Sequence, residues 1–498
     1  MLQDLLMGFT IVFQPFNLFM LFLAVVIGFL GGAIPGISGV MLVVILLPIT
    51  YGMDTTPVFL LLTSIYAAAG FSGLISAILF RTPGTPEAMA TVLDGYPMAQ
   101  KGLAGQALGV GLLSSATGGL IGTLFLIFLT PALAKVALNF SSAEYFALAI
   151  LGLTFVASLS GGDVIRGLIG VTFGLFIATI GIDILSGAQR FTFGSADLLS
   201  GVDFVPILIG LFAVSEVIRK SMEDQRAVQV ITKVKTKIFE WNIFKRIWGT
   251  IARSTLLGVF VGILPGVGAT TASILSYSAE VRRSKNPEKY GTGVPEGVAA
   301  PESANNSAAV GALVPLLSLG IPGSATTAVI LGAFILHGLQ PGPTLFTYEK
   351  ELVYTIFAGL LIINILMLIF AKPFISIFSK VLNIPYSILG PLIAVMCFLG
   401  TYAVRNSMFD VWIMLLFGII GYFLEKHRFP VATIVLGVVL GAMVEEEFRR
   451  ALQMAGGDYS VFFTRPISAV LLTVAILALI IPPVRRYLAN RRKAQEAK

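Results

Sequence analysis

The side chains able to hold a small ligand in this 498-residue chain gather beside proline-glycine pairs. Residues 32–39 read GAIPGISG and contribute Pro35, Gly36, Ile37, Ser38 and Gly39. Residues 81–86 read RTPGTP and contribute Pro83, Gly84 and Thr85. Residues 262–271 read GILPGVGATT and contribute Pro265, Gly266, Gly268, Thr270 and Thr271. The stretch 296–327 carries Ser303, Asn305, Asn306 and Ser307, then Pro322, Gly323, Ser324, Thr326 and Thr327 around its own Pro-Gly. Small and hydroxyl residues let backbones approach closely and offer neutral hydrogen bonds to an anion or a partly dehydrated cation. A break in a helix also frees backbone groups: N-termini attract carboxylates, and C-terminal carbonyls attract cations. Other chemistries lack their residues. Cys397 is the single cysteine and cannot form an internal disulfide, and His337 and His427 lie far apart, so no transition-metal site is expected. Paired Asp, HExxH and Ser-His arrangements are missing from the apolar runs, so no enzyme and no cofactor is expected.

The elements that must position these residues are membrane helices. The chain is 56% hydrophobic and 12% charged, with mean hydropathy +0.92. A soluble chain of this length carries about twice that charge. Runs such as 105–134, 143–160, 352–371 and 464–483 approach the ~20 apolar residues that cross a bilayer. They are continuous rather than alternating, which selects helices over a barrel. The start, MLQDLLMGFT, has no Lys or Arg before its apolar stretch and does not read as a cleavable signal peptide. The net charge of +7 sits mostly in short basic stretches and points to topology rather than to nucleic acid.

Three basic stretches mark the cytoplasmic side: Arg219 to Arg246 (with Lys220, Arg226, Lys233, Lys235, Lys237 and Lys245), 282–289, and the tail from Arg485. The apolar stretch 247–281 lies between two of them, so it enters and returns, turning at Pro265-Gly266. The stretch 17–49 is flanked by segments without Lys or Arg and turns at Pro35-Gly36, so it reads as a hairpin opening to the other side. Five crossings follow the first hairpin (57–80, 105–130, 143–160, 164–183, 203–219) and six follow the second (296–320, 352–371, 386–403, 408–425, 430–446, 464–483). The N-terminus is then extracytoplasmic and the C-terminus cytoplasmic. EEEFRR, 445–450, falls outside against the charge rule, softened by its glutamates.

The two halves share an order of features. Pro35 pairs with Pro265 at an offset of 230 (265 − 35), and Pro83 with Pro322 at 239 (322 − 83). FG at 173–174 pairs with FG at 417–418, and EVIRKS at 216–221 with EEFRRA at 446–451. One Pro-Gly between apolar runs is an ordinary turn; two in register, each with another downstream, point to a site. Because the halves begin on opposite sides, the expected fold is an all-α polytopic membrane protein of two inverted-topology repeats, with about 11 crossings plus two hairpins. The divisions are 1–221, a basic linker 222–246, 247–451, and an extra helix with a tail, 452–498. Glu296 and Glu302 read as ending near the cytoplasmic surface, with Glu296 a solvated loop residue, and Arg81 as a positive-inside anchor.

GAIPGISGVM, GILPGVGATTASILSY, the run from PEGVAAPESANNSAAVGAL to GIPGSATTAVILGAF, and GLQPGPTLF resemble the large membrane subunit of the tripartite tricarboxylate transporter family. The resemblance covers nearly the whole chain. It implies a small four-helix membrane subunit and an extracytoplasmic solute-binding protein as partners, in a bacterial inner membrane among membrane lipids. It implies symport of small carboxylates driven by Na+ or H+ rather than ATP, and the chain has no GxxxxGK[ST] motif. A single-component cation-coupled carboxylate transporter and a pseudo-symmetric channel stay open at this stage. Which carboxylate and which ion, the oligomeric state, and whether the hairpins stop midway or span are not written in the sequence.

Overall fold

Continuous apolar sequence becomes helix wherever no proline or glycine interrupts it. The computed structural model describes residues 1–34, 36–159, 163–183, 185–222, 240–381 and 386–496. Pro35, Arg226, Lys233, Lys235 and Lys237, together with the side chains of the basic tail, lie outside the described residues.

The first half comprises α1 (Leu2–Val12), α2 (Pro15–Ala33), α3 (Gly39–Leu46, extended by a 3-10 turn, Leu47–Thr50), α4 (Thr55–Phe80), α5 (Val92–Met98), α6 (Ala104–Ala137), α7 (Ser142–Leu159) and α8 (Val164–Ala178). An antiparallel pair, β1 (Gly181–Ile182) and β2 (Gln189–Arg190), precedes α9 (Phe204–Leu208) and α10 (Ser215–Met222), which a π-helical stretch joins. The second half comprises α11 (Trp241–Ile263), α12 (Gly268–Arg283), α13 (Pro295–Gly311), α14 (Leu313–Leu319), α15 (Ala325–Leu336), α16 (Leu345–Tyr348), α17 (Lys350–Val381), α18 (Tyr386–Arg405), α19 (Met408–Lys426) and α20 (Val431–Met454), followed by α21 (Val461–Thr464) and α22 (Pro466–Glu496). Six described helical spans are long and apolar enough to cross a membrane alone: Pro15–Ala33, Thr55–Phe80, Val92–Ala137, Lys350–Ala371, Tyr386–Arg405 and Met408–Lys426. The expected crossing at 296–320 is two helices, α13 and α14, with a bend at Ala312. The helix α15 was not anticipated.

Both hairpins form, α2–α3 and α11–α12, turning through Gly36 (φ +93°) and Gly266 (φ +75°). Only glycine adopts such angles without strain. Cross-chain polar contacts sort the loops into two ends of the bundle. At one end Asp4 meets Lys350 (2.8 Å), Thr50 meets His337 (3.3 Å), Asp203 meets Arg405 (3.5 Å), Glu144 meets Arg465 (2.6 Å) and Asp183 meets Arg449 (2.6 Å). At the other, Arg246 meets Glu296 (2.7 Å), Lys101 meets the Thr292 carbonyl (2.6 Å), Arg166 meets the His427 carbonyl (2.7 Å) and Arg219 meets Glu425 (4.0 Å). The first hairpin opens at the first end and the second hairpin at the other. The arginines of EEEFRR are neutralised: Arg449 by Asp183 and Glu445, Arg450 by Glu447 and Glu446.

The centre is two buried helices, α4 and α13. Helices surrounded by lipid tails or by other apolar helices gain little from apolar burial against each other, so backbones must approach. Glycines four residues apart make this possible. A Cβ at Gly118 or Gly258 would lie 2.3 Å from the carbonyl oxygens of Ser303 or Ala304 on α13, and one at Gly262 2.3 Å from that of Ala308. Gly28 and Gly32 of α2 grip α4 at Ala68 and Ala69, and Gly170 and Gly174 of α8 grip α20.

Two outcomes follow. Gly262→Val should cost roughly 1–3 kcal/mol or more by overpacking, read as a lower melting temperature in detergent. Gly249→Ala, on the exposed face of the same helix beside the flexible Arg253 guanidinium, should be neutral or stabilise by up to about 1 kcal/mol. The Asp183 carboxyl accepts backbone N–H bonds from Ser186 and Leu185 and pairs with Arg449, which hold it far below the usual carboxylate range. A depressed carboxyl contributes stability that is full above its unfolded value, about pH 4, and is lost only as pH falls below that. Melting temperature against pH should therefore show an acid-sensitive component below about pH 4 in the native protein that Asp183→Asn removes.

Candidate functional site

The two Pro-Gly loops and the second hairpin tip meet beside α4 and the end of α13. Helix α4 ends at Arg81 in the left-handed region (φ +58°), and α14 ends at Gly320 in the same region (φ +73°), 239 positions later (320 − 81). Each end is followed by a short Pro-Gly loop that leads to a new helical start. Thr85 is the N-cap of the 3-10 turn Pro86–Met89, and Ser324 is the N-cap of α15. The loops pack alike. A Cβ at Gly84 would strike the Gly32 carbonyl (2.3 Å) and Gly73; one at Gly323 would strike the Gly262 carbonyl (2.8 Å) and Ala312. The second hairpin tip is tied directly to this loop by the Gly266 N–H, which donates to the Gly323 carbonyl at 3.0 Å.

The candidate polar groups divide into those already bonded and those left open. Ser38 caps α3, accepting from the Met41 N–H at 3.2 Å. Ser324 and Thr327 form a reciprocal capping box. Ser303 and Ser307 donate back to the carbonyls of Ala299 and Ser303, both at 2.8 Å. Thr270 and Thr271 are half-buried on the first turn of α12 beside Gly268, and Pro265 is half-buried at the tip. Ile37, Pro322 and Thr326 are buried, and Pro83 is half-buried. Open groups are fewer: both amide atoms of Asn305 and the amide nitrogen of Asn306 are buried without a hydrogen-bond partner among the described residues. Buried polar atoms are nearly always paired, so three orphans in one place mark an unfilled role.

These groups border a narrow cleft between the hairpins, lined by Gly39, Tyr66, Gly70, Glu87, Ala269, Asn305 and Ala309. It has about 220 Å³ of space between atoms, none wide enough for a water-sized sphere. Asn305 Oδ1 would lie 3.3 Å from a Cβ at Gly70. Tyr66 bridges the halves, its hydroxyl 3.2 Å from the Ser324 hydroxyl. Neither Tyr66 nor Glu87 was among the sequence candidates. The signal for Glu87 was available: an acid directly after RTPGTP, in a membrane interior where charges are rare unless used.

Glu302 corrects the surface expectation. Its side chain is fully buried between α13 and α6 and accepts hydrogen bonds from Thr91 (2.5 Å) and Ser115 (2.8 Å). The reason is positional: α13 starts at Pro295, so Glu302 lies two turns in, while Glu296 stays at the surface with Arg246. Asp94 closes the start of α13, accepting from the N–H groups of Gly291, Gly293 and Val294 and from the Tyr277 hydroxyl (2.9 Å). Arg81 is exposed, with its guanidinium 5.8 Å from the centre of the Tyr96 ring. Lys220 reaches the first hairpin tip, its Cε lying where a Gly36 side chain would be. A separate vestibule of about 600 Å³, lined by Gly320, Pro341, Thr344, Tyr145 and Glu446, leads to the second Pro-Gly loop from the end that carries Lys350.

The model of the tripartite tricarboxylate transporter TctA family matches residues 18–436, which contain every one of these breaks. The chain belongs to this family. It is 41% identical over 481 residues, covering 97% of this chain and 96% of the other, to a protein of Agrobacterium vitis named "Uncharacterized 52.8 kDa protein in TAR-I ttuC' 3'region". It is 44% identical over 231 residues, 46% of this chain and 96% of the other, to an "Uncharacterized protein in TAR-II ttuC' 3'region" from the same organism. No solved structure matches the chain. As a TctA-family protein it is the membrane component of a tricarboxylate-type transporter, and its apolar helices fit a multi-pass membrane protein.

The Ser38 cap separates two roles by substitution. If capping is its task, Ser38→Ala should cost about 1 kcal/mol of stability and Ser38→Gly only a few tenths, with transport following stability. Equal transport loss in both variants at unchanged melting temperature would instead mean that the hydroxyl touches substrate.

Proposed function

We propose that this TctA-family chain is the permease subunit of a binding-protein-dependent, ion-gradient-driven secondary transporter importing small carboxylates by alternating access. Its partners in this reading are a small four-helix membrane subunit and an extracytoplasmic solute-binding protein, in the bacterial inner membrane. The observation that carries the reading is the central cavity. Six of its seven lining residues fall into pairs at the offsets that relate the two Pro-Gly systems: Gly39 with Ala269 at 230, and Tyr66 with Asn305 and Gly70 with Ala309 at 239. That is what two inverted repeats, 1–221 and 247–451, meeting on a pseudo-two-fold axis would produce, with 452–498 an added helix and tail.

Further support comes from the hairpins opening at opposite ends and from basic residues gathered at one end. Lys101, Arg166, Arg219, Arg246, Arg282 and Arg283 favour that end as cytoplasmic. The vestibule at Gly320 then faces outward, on the route by which a delivered carboxylate would arrive. The narrow centre has no room for an organic anion, so the hairpin tips must separate from their neighbours to admit one. Open backbone N–H groups at the tips, with Asn305 and Asn306, then hold the carboxylates. An elevator-like movement of the tips against the remaining helices fits this need.

The test is uptake of labelled citrate-like carboxylates by proteoliposomes carrying all three components, with Na+ and pH varied. Saturable uptake that requires the binding protein and an ion gradient is expected. Asn306→Ala should lower it without lowering membrane expression, and Gly36→Val should abolish it, because valine adds bulk against Lys220 and cannot relax at φ +93°. Cysteine pairs joining the tip at Val267 to Val156 on α7, in a Cys397→Ala background, should crosslink in one state and not in another; a constant distance through the cycle would rule out the movement.

A further inference from the structure

The cavity between the hairpins breaks its own pairing at one residue. Glu87 has no acidic counterpart; the position 239 later is Thr326 (326 − 87). A carboxylate therefore enters the centre from one half alone. Its Oε2 is buried and has no hydrogen-bond partner, and no basic side chain pairs with it among the described residues. Across the cavity Asn305 is fully buried, with its Oδ1 also unpartnered. The Thr85 hydroxyl lies beside the Glu87 carboxyl and packs on Gly73, about one helical turn along α4 from the Gly70 that faces Asn305 Oδ1.

A carboxylate buried without a counter-charge is strongly disfavoured, and so is each unpaired oxygen around it. One hard cation answers all of them, because such cations take oxygen ligands of mixed type. The space admits no water, so the ion must be small and dehydrated. A single carboxylate balances a single positive charge. A proton on Glu87 would supply one O–H donor, which reaches one acceptor at a time, whereas a cation draws several oxygens together. Groups of three or more His, Cys, Asp or Glu residues able to hold a metal ion are absent among the described residues, which disfavours a divalent or transition metal here.

We propose that Glu87, with the amide oxygen of Asn305 and the Thr85 hydroxyl, forms a binding site for one dehydrated Na+ between the two hairpins. The site deepens the transport reading by seating the coupling ion, and rests on that reading only for the consequence. Bound Na+ ties the loop after α4 to α13 in the cavity that the hairpins border, and its release frees that loop from α13. The neutral Thr326 half leaves the matching position free of negative charge, where a substrate carboxylate would otherwise be repelled.

The experiment is direct binding of radiolabelled Na+ to the purified full-length chain in detergent, without substrate, competed by unlabelled Na+ and K+. Saturable Na+ binding with little competition by K+ is expected. Glu87→Gln should weaken it by roughly tenfold or more, since it removes the one charged ligand. Asn305→Ala should weaken it by a smaller factor. Glu144→Gln, whose parent carboxylate is held by Arg465 and Ser141 at one end of the bundle, should bind like the native chain. Melting temperature with and without Na+ is measured on each variant; an Na+-dependent rise in the native chain that is lost in Glu87→Gln supports the site even if that variant is less stable. Absence of saturable Na+ binding in the native chain, or unchanged affinity in Glu87→Gln, overturns it. Failure of the transport reading would appear separately, as absent carboxylate uptake by the assembled system under any cation.

Discussion

Glycine pairs four residues apart, which let helix backbones touch, are the constraint on which the rest of this structure depends. Helix α13 carries Glu302, Ser303, Asn305, Asn306 and Ser307 within one short stretch, all buried. Its small apolar residues, among them Val298, Ala299 and Ala308, join the core but do not set how closely its neighbours approach. It is held because Gly118 and Gly122 on one side and Gly258 and Gly262 on the other bring α6 and α11 against its carbonyls. Side chains at those four positions would push the neighbours away and open the polar helix to lipid.

The same close approach explains why the Pro-Gly breaks are tolerated. Gly84 and Gly323 fit only because Gly32 and Gly262 offer their carbonyls at contact distance. Each break is enclosed by protein rather than lipid, the condition under which irregular backbone survives at membrane depth. The enclosure leaves a centre in which Ser303 and Ser307 are satisfied by their own helix while Asn305, Asn306 and one Glu87 oxygen are not. Hydrogen-bonded polar residues and unpartnered ones are therefore interleaved along the same segments. Their separation rests on hydrogen bonding, not on residue type.

Charge at the two ends adds a second layer. Asp183, Arg190, Glu445 and Arg449 join the β1–β2 loop to the end of α20, and Arg246–Glu296 with Asp94 close the start of α13 at the opposite end. Each cluster ties an element of one half to an element of the other or of its own, so ionic contacts frame the interior at both ends.

By itself the sequence determined the helical membrane class, the two helical hairpins, the family, and the segments that supply the candidate site. Apolar run length, proline and glycine positions and basic loops are local signals, and local signals survive in one dimension. Tertiary structure alone decided which residues in those segments are open. Ser38 is a cap because α3 begins at Gly39; Ser303 and Ser307 turn back on their own helix; Glu302 is buried because α13 starts seven residues earlier; Glu87 and Tyr66 enter the cavity because the loop after α4 folds back beside α13. Whether a polar atom is satisfied depends on what lies across from it: Ser303 and Ser307 find their acceptors on their own helix, whereas Glu302 meets Thr91 and Ser115, and Tyr66 meets Ser324, from distant parts of the chain.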